Sequence, residues 1–355
     1  MKSIHYQMNG KQQKESTKKI VRIKGENRAL KYSTIGTSWI TDAFIDAAQQ
    51  SGVAELVSVY SRNEQKAHRF AEKHGAAHIF TDLQAMLTDE SDVVYVASPN
   101  KLHADHIKLC IQNGKHVFCE KPMVYTVQQL EEIMDLARAN DVFVFEGFRH
   151  LFSPNYKILK EQLLQIGVIR SAMFQYVKYS SKYDQYKEGK DPNIFSKTFA
   201  GGALMDLGVY PLSMAIDLFG QPEKVNYFPV LLSNGIDGSG TIVLTYKGFI
   251  VTILCSKIAN ASLPSEIHGE DGSLTMDSVA PISDLQLYDR IASKTTSLAS
   301  QQYEADMIYE IQAFEKMLKG KDRKWHDACL ERSRIVVQIT EQLRKENGIL
   351  FPGES

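Results

Sequence analysis

The sequence lacks the features that mark several large classes of protein. No apolar run among its 355 residues approaches the ~20 needed to span a bilayer, so no membrane partner is expected. The first 30 residues lack the apolar core of a secretory signal, which makes the cytoplasm the expected compartment. Cysteine is scarce: Cys110, Cys119, Cys255 and Cys329 lie far apart with no C-x-x-C pair. That pattern argues against a disulfide scaffold and a cysteine-built metal centre, and predicts four buried free thiols and no metal. A strong excess of either charge is missing too, since the net charge is -1.

That near-neutral total hides an uneven spread. Residues 1–29 carry eight Lys/Arg against Glu15 and Glu26, and the remaining 33 basic and 40 acidic residues leave the rest of the chain at -7. A body that acidic has no footprint for nucleic acid, so no nucleic-acid partner is expected. The basic segment reads as a disordered extension, with an arm for an anionic partner as the alternative. A purine run encoding Lys24-Gly25-Glu26 would resemble a bacterial ribosome-binding site, and Leu30 is encodable by TTG. Translation starting at Leu30 is therefore an expectation that the intact mass of natively expressed protein would test.

What the sequence does have is rhythm. From residue 30, β-rich runs at 32–35, 56–60, 93–96, 116–119 and 142–145 alternate with amphipathic stretches at 40–50, 65–74, 103–112 and 127–139. Leu130, Ile133, Met134 and Ala137 recur at helical spacing in the last of these. Strands separated by helix-length segments predict parallel pairing, hence an α/β dinucleotide-binding (Rossmann) domain with a doubly wound sheet over residues 30–150. Beyond 150 a helix at 155–165 and a strand at 171–178 precede a polar loop to 197 and a Gly-rich helical segment. Strands at 224–232, 240–246, 249–258, 265–268 and 285–288 then follow with few helices between them, and helices return at 303–318 and 327–345. Residues 151–355 therefore read as an α+β domain with an open, largely antiparallel sheet.

The first strand runs into Gly36-Thr37-Ser38-Trp39-Ile40-Thr41. A dinucleotide turn of the G-x-G-x-x-G kind keeps only Gly36 here, with Ser38 and Thr41 where the second and third glycines belong. The second strand ends at Tyr60-Ser61-Arg62 with no acid at its tip. An acid there would hold a ribose 2′-hydroxyl, whereas Arg62, helped by Ser61 and Lys66, offers a charged fork for a 2′-phosphate. NADP(H) is therefore favoured over NAD(H). The alternatives are an Arg62 that stacks on adenine in an NAD-dependent protein, and a solvated Arg62 beside Glu64.

The richest signal is Ala97-Ser98-Pro99-Asn100-Lys101-Leu102-His103 followed by Gly114-Lys115-His116-Val117-Phe118-Cys119-Glu120-Lys121-Pro122. The Glu-Lys-Pro triplet lies just past a parallel strand, where open α/β sheets bind ligands. Glu146-Gly147-Phe148-Arg149, Gly201-Gly202-Ala203-Leu204-Met205-Asp206-Leu207-Gly208-Val209-Tyr210 and Gly348-Ile349-Leu350-Phe351-Pro352 follow in order. With these motifs the sequence, over residues 30–352, resembles the Gfo/Idh/MocA oxidoreductases, the glucose–fructose oxidoreductase and inositol dehydrogenase family.

The resemblance implies hydride exchange between a nicotinamide and a hydroxyl or carbonyl on a sugar, polyol or dihydrodiol. It also implies a homodimer or homotetramer built through the second domain's sheet. Lys121 matches the family's lysine at the substrate hydroxyl and nicotinamide ribose, Asp206 and Tyr210 its D-x-x-x-H/Y pair, and Asn100, His103 and Arg149 positions near the nicotinamide. Members with Tyr at the last position resemble dihydrodiol dehydrogenases and glucose–fructose oxidoreductase more than inositol dehydrogenases. The candidate cofactor set is Gly36, Thr37, Ser38, Trp39, Ile40, Ser61, Arg62, Ser98, Pro99, Asn100, His103, Glu120, Lys121 and Arg149; the catalytic set is Lys121, Asp206 and Tyr210.

The chemistry agrees. Hydride transfer to a carbonyl builds negative charge on oxygen and calls for a nearby acid. A tyrosine with its reference pKa of about 10 would be helped by a lysine that lowers it. Asp206 would orient Lys121, or instead cap the helix after two glycines. Asp206 and Tyr210, four apart, share a face on an α-helix, although Pro211 interrupts the helical hydrogen bonding there. His150 is a candidate to face the substrate or to act as a hinge residue. Tyr176, Tyr179, Tyr183, Tyr186 and Lys187 read either as a loop over the site or as packing. A catalytically silent cofactor sensor is the competing class, and the presence of Lys121, Asp206 and Tyr210 favours an enzyme.

Overall fold

The computed structural model describes residues 28–354, so the basic extension of residues 1–29, apart from Arg28 and Ala29, lies outside the described residues. The first six strands are β1 (Leu30–Ile35), β2 (Ala54–Tyr60), β3 (His78–Phe80), β4 (Val93–Val96), β5 (His116–Glu120) and β6 (Val144–Gly147). They form one parallel sheet in the order β3-β2-β1-β4-β5-β6. The order reverses between β1 and β4, and that reversal opens a crevice at the strands' C-terminal ends. Helices α1 (Trp39–Ser51), α2 (Glu64–His74), α3 (Leu83–Leu87), α4 (His103–Gln112) and α5 (Val127–Ala139) cover the two faces. Every residue of β4 and β6 is buried, as parallel strands covered on both faces require. In α5, Leu130, Ile133 and Ala137 face the core, as their spacing predicts.

The second domain adds α6 (Pro154–Gln162), α7 (Ser181–Lys187), α8 (Val209–Phe219) and an eight-stranded sheet. Its strands are β7 (Ile169–Val177), β8 (Lys224–Leu231), β9 (Asp237–Tyr246), β10 (Phe249–Ser256), β11 (Ser265–Gly269), β12 (Gly272–Met276), β13 (Leu285–Asp289) and β14 (Lys294–Ser297). The order is β14-β13-β12-β11-β7-β10-β9-β8, antiparallel except for the central pair of β7 and β10. The expected fold class therefore holds for both halves. The inner face packs on α6, α8 and the last helix, α10 (Arg323–Glu346); the outer face has no covering layer among the described residues.

The sequence left three strands unmarked. β3 has three residues and β14 is Lys-Thr-Thr-Ser with every residue exposed, so neither carries an apolar period. β12 alternates over only five residues. Helix α7, inside the expected polar loop, buries no residue, which explains its missing helical signature. Against the expectation of no such run, the helical stretch from Lys197 to Phe219 is long and apolar enough to cross a membrane by length and composition; 89% of its apolar window is buried in the core.

Packing does not follow the boundary at residue 150. Helix α9 (Met307–Lys319), far along the chain, returns to the first domain. Its Met307, Ile311, Phe314 and Met317 share a core with Phe44, Ile45, Phe118 and Phe145. Burying each such side chain contributes about 1.5–3 kcal/mol, so the two domains are stapled through α9.

Candidate active site

Two adjoining cavities lie along the crevice. The first, about 540 Å³, is lined by Gly36, Thr37, Ser38, Ser61, Arg62, Asn63, Lys66 and His106. Gly36 has φ +123°, and a Cβ there would stand 2.6 Å from the Ala97 carbonyl oxygen, so the turn tolerates only glycine. Thr41 fills the third glycine's place as a fully buried residue beneath the turn. Ser38 is the N-cap of α1 in an extended conformation, and its side chain makes no capping bond. The first amides of α1 therefore remain available to an anion at the helix's positive end. This is the donor set a pyrophosphate requires, and it fits even with Ser38 in place of the second glycine.

At the far end of that cavity, Arg62 and Lys66 form no ion pair among the described residues. Glu64, the acid nearest in sequence, turns to His68 at 4.0 Å. Asn63 caps α2 by accepting the Lys66 amide at 2.9 Å, which brings Arg62 and Lys66 to one mouth of the cavity. His106, which no sequence motif marks, meets the Ser98 hydroxyl at 2.9 Å, and burial pushes its pKa down.

The second cavity, about 450 Å³, gathers Trp39, Ile40, Asn100, His103, Glu120, Lys121, Arg149, Asp206 and Tyr210 from five separate segments, with Ser38, Ala97, Ser98 and Pro99 shared between the two. Lys121 follows β5 directly. Its Nζ donates to the Asp206 backbone carbonyl at 2.7 Å and to Asp206 Oδ1 at 3.0 Å. The same ammonium stands 4.6 Å from the centroid of the Tyr210 ring. Asp206 is thus an ion-pair partner and not a helix cap. Burial alone would push the Lys121 pKa down, but Tyr210, Asp206 and Glu120 outweigh it and hold it above the usual value. Burial likewise works against Asp206 ionising, yet Lys121 and Lys257 keep its pKa well below the usual range.

The geometry around Tyr210 departs from a plain α-helix. Residues Leu204–Gly208 form a wider π-type turn, closed by the Val209 amide on the Leu204 carbonyl, before α8 begins. Asp206 and Tyr210 still both reach Lys121, on the offset path a π-turn imposes. Pro211 lies within a helical stretch continuous with the π-turn, so its missing N–H falls where the helical hydrogen-bond ladder is already shifted. Burial pushes the Tyr210 phenol up to about 12; Lys121 and Arg149 pull it down without overcoming burial, which corrects the expectation of a lowered value.

His150 does not face the cavity. Its ring is buried behind Tyr210, with Nε2 3.0 Å from the Tyr210 carbonyl, and burial drives its pKa down to about 3. The ring is thus a hydrogen-bonded packing residue at the domain junction and does not line the cavity. Of the tyrosines before α8 only Tyr176 lines the cavity, edge-on to Tyr210 at 5.2 Å. Tyr179, Tyr183 and Tyr186 pack on one another, and Lys187 pairs with Asp184. Arg149 reaches Asp306 at 3.2 Å, and His103 is braced between the carbonyls of Pro122 and Ser98 at 3.0 and 2.6 Å.

Lys257, just beyond β10, was not singled out from the sequence, yet its Nζ bonds Asp206 Oδ2. A charged residue at the end of an apolar strand that alternates inward and outward was the available signal. Glu310 was missed as well: it is fully buried, neither carboxylate oxygen has a partner among the described residues, and burial raises its pKa far above the usual range.

Comparison with known proteins decides the family. The model of an oxidoreductase family with an NAD-binding Rossmann fold matches residues 30–148, and that of the GFO/IDH/MocA C-terminal domain matches residues 165–275. The chain belongs to the GFO/IDH/MocA oxidoreductases. It is an NAD(P)-dependent dehydrogenase or reductase. A scyllo-inositol 2-dehydrogenase (NADP(+)) of Bacillus subtilis, IolU, is 38% identical over 92% of this chain and 99% of its own. A trans-1,2-dihydrobenzene-1,2-diol dehydrogenase of Xenopus tropicalis is 26% identical over 91% and 100%. Identity is thus greater to the inositol enzyme than to the dihydrodiol enzyme, against the order suggested by Tyr210. The crystal structure of KijD10, a 3-ketoreductase of Actinomadura kijaniata, superimposes with a TM-score of 0.79 at 22% identity, covering 90% of this chain and 98% of that one, which shows the shared fold.

Proposed function

We propose that the enzyme uses NADP(H) to interconvert a secondary alcohol and a carbonyl on a sugar or polyol, with Lys121, Asp206 and Tyr210 as its proton-handling group. The observation that carries this reading is the convergence of those three residues on the cavity adjoining the Gly36 turn. A nicotinamide held between the Gly36 turn and the Lys121 cavity would supply the hydride acceptor for oxidation and the hydride donor for reduction. The Tyr210–Lys121 pair, having first released one proton to water, takes up the hydroxyl proton in oxidation and returns it to the oxygen in reduction. Lys121 also stabilises negative charge on that oxygen, in a site where burial strengthens the interaction. Asn100, whose amide donates to the Ala200 carbonyl at 3.0 Å, ties the cofactor side of the cleft to the substrate side.

The preference for NADP(H) rests on Arg62 and Lys66 at a strand tip without an acid, and accords with the name of the inositol enzyme above. Titrating the enzyme with NADPH and NADH while following nucleotide fluorescence tests it. Tight NADPH with weak NADH is expected, followed by NADP-linked oxidation of cyclic polyols such as scyllo-inositol; equal affinities would return the reading to NAD.

The exposed outer face of the second sheet presents Met173, Phe228, Val230, Ile250 and Leu254, an apolar patch that supports a homodimer or homotetramer. Light scattering should show an oligomer that Phe228→Glu with Ile250→Glu dissociates; a monomeric wild type would overturn this. Four buried free cysteines suit the reducing cytoplasm.

A further inference from the structure

We propose that Lys257 is a positioning residue of this site: it shares the Asp206 carboxylate with Lys121 and leaves the cluster one positive charge in excess, which eases proton release from Lys121 and Tyr210. The inference rests on the function proposed above and assigns a role to a lysine outside the motif residues.

Lys257 is held by its backbone, its amide donating to the Gly238 carbonyl at 2.9 Å and its own carbonyl accepting the Ser180 amide at 2.9 Å. Its side chain is only 5% exposed and runs past the Phe195 ring, 5.9 Å from the centroid, to Asp206 Oδ2. Asp206 Oδ1 takes Lys121 at 3.0 Å. No other carboxylate pairs with either ammonium among the described residues. A buried ammonium needs a partner, and here two depend on one carboxylate. The other ionisable groups facing Lys121 and Tyr210 are Glu120 at the end of β5, which accepts the Tyr95 hydroxyl, Glu146 on β6, Arg149 and His150 after β6, His103 on α4, Tyr176 on β7 and Lys178 just after β7. His150 is neutral near pH 7, and Arg149 has its own acid in Asp306.

A one-to-one Lys121–Asp206 pair would cancel the lysine's field at the Tyr210 ring. Drawing half of the carboxylate towards Lys257 leaves that field in place. Removing one unit charge several Å away, at an effective dielectric of about 20, moves a proton equilibrium by one pH unit or more. In alcohol oxidation the Lys121–Tyr210 pair accepts the hydroxyl proton, so excess positive charge lowers the pH at which the pair is ready.

The experiment compares wild type, Lys257→Met, Lys257→Gln and Lys257→Arg, each first checked for folding by circular dichroism and for NADPH affinity. In the oxidation direction, the rising limb of kcat against pH should move up by about one unit in the Met and Gln variants and return to the wild-type position in the Arg variant. At neutral pH this is about a tenfold loss of kcat with KM little changed. A second readout needs no turnover: the 13C carboxyl resonance of Asp206, identified by its loss in Asp206→Asn, should titrate at higher pH in Lys257→Met than in wild type. An unmoved pH profile, or an unmoved Asp206 titration, in well-folded Met and Gln variants overturns the proposal. A wild type that turns over no polyol, with an Asp206 titration that shifts as expected, overturns the substrate reading and leaves the charge sharing standing.

Discussion

The two ends of the crevice hold positive charge in opposite ways. At the cofactor end Arg62 and Lys66 stand open at a cavity mouth and form no ion pair among the described residues. At the chemical end Lys121 and Lys257 are buried, and both are committed to Asp206. An open cation costs little to maintain and waits for an anion from solution, but salt screens it. A buried one must be held by a partner, and low dielectric then amplifies its effect on nearby protons. Recognition of a phosphate suits the first arrangement and proton transfer the second.

The comparison breaks most visibly at Lys121. Lys121→Ala should lower kcat about 10³-fold while NADPH still binds, measured by steady-state kinetics beside fluorescence titration. Retained activity would refute the chemical end as drawn. A smaller effect concerns what supports Asp206. The buried Asp237 carboxylate accepts the Leu204 amide at 2.6 Å and the Tyr227 hydroxyl at 2.8 Å, and burial lifts its pKa to about 6. The folded state therefore binds this proton more tightly than the unfolded chain does. Between about pH 4 and 6 the group makes stability fall as pH rises, by roughly 2–3 kcal/mol in all. Denaturant unfolding of wild type and Asp237→Asn across that window should differ by this slope, and parallel curves would count against it. Next comes Arg62→Ala, expected to weaken NADPH about tenfold at low salt and NADH hardly at all. The difference should shrink as salt is raised; a salt-independent loss would mean that Arg62 is not the open cation described. Smallest is Ser61→Ala, whose neutral hydroxyl should be worth less than about 1 kcal/mol of NADPH affinity in the same titration.

Much of this was legible in order along the chain. Helices α4 and α5 and strand β4 lie where their apolar periods predict, because those elements bury one face or two against a sheet. Gly36 was legible because it makes a strand-to-helix turn, and Lys121, Asp206 and Tyr210 because their motifs resemble those of a family. β14 and α7 were not, since neither buries a residue and nothing in their composition marks them. His150 stayed ambiguous because its orientation depends on where α8 packs.

The sequence by itself determined an alternating α/β half, a strand-rich second half, a turn that only glycine can make and the residue types needed for proton transfer. Local sterics and hydrophobic period act over a few residues, so they can be read there. The tertiary structure alone decided that α9 belongs to the first core, that His150 turns away from the cavity, that burial outweighs Lys121 in setting the Tyr210 phenol, and that Lys257 meets Asp206. Each of these depends on residues far apart in the chain being brought together, and on how much water that packing removes.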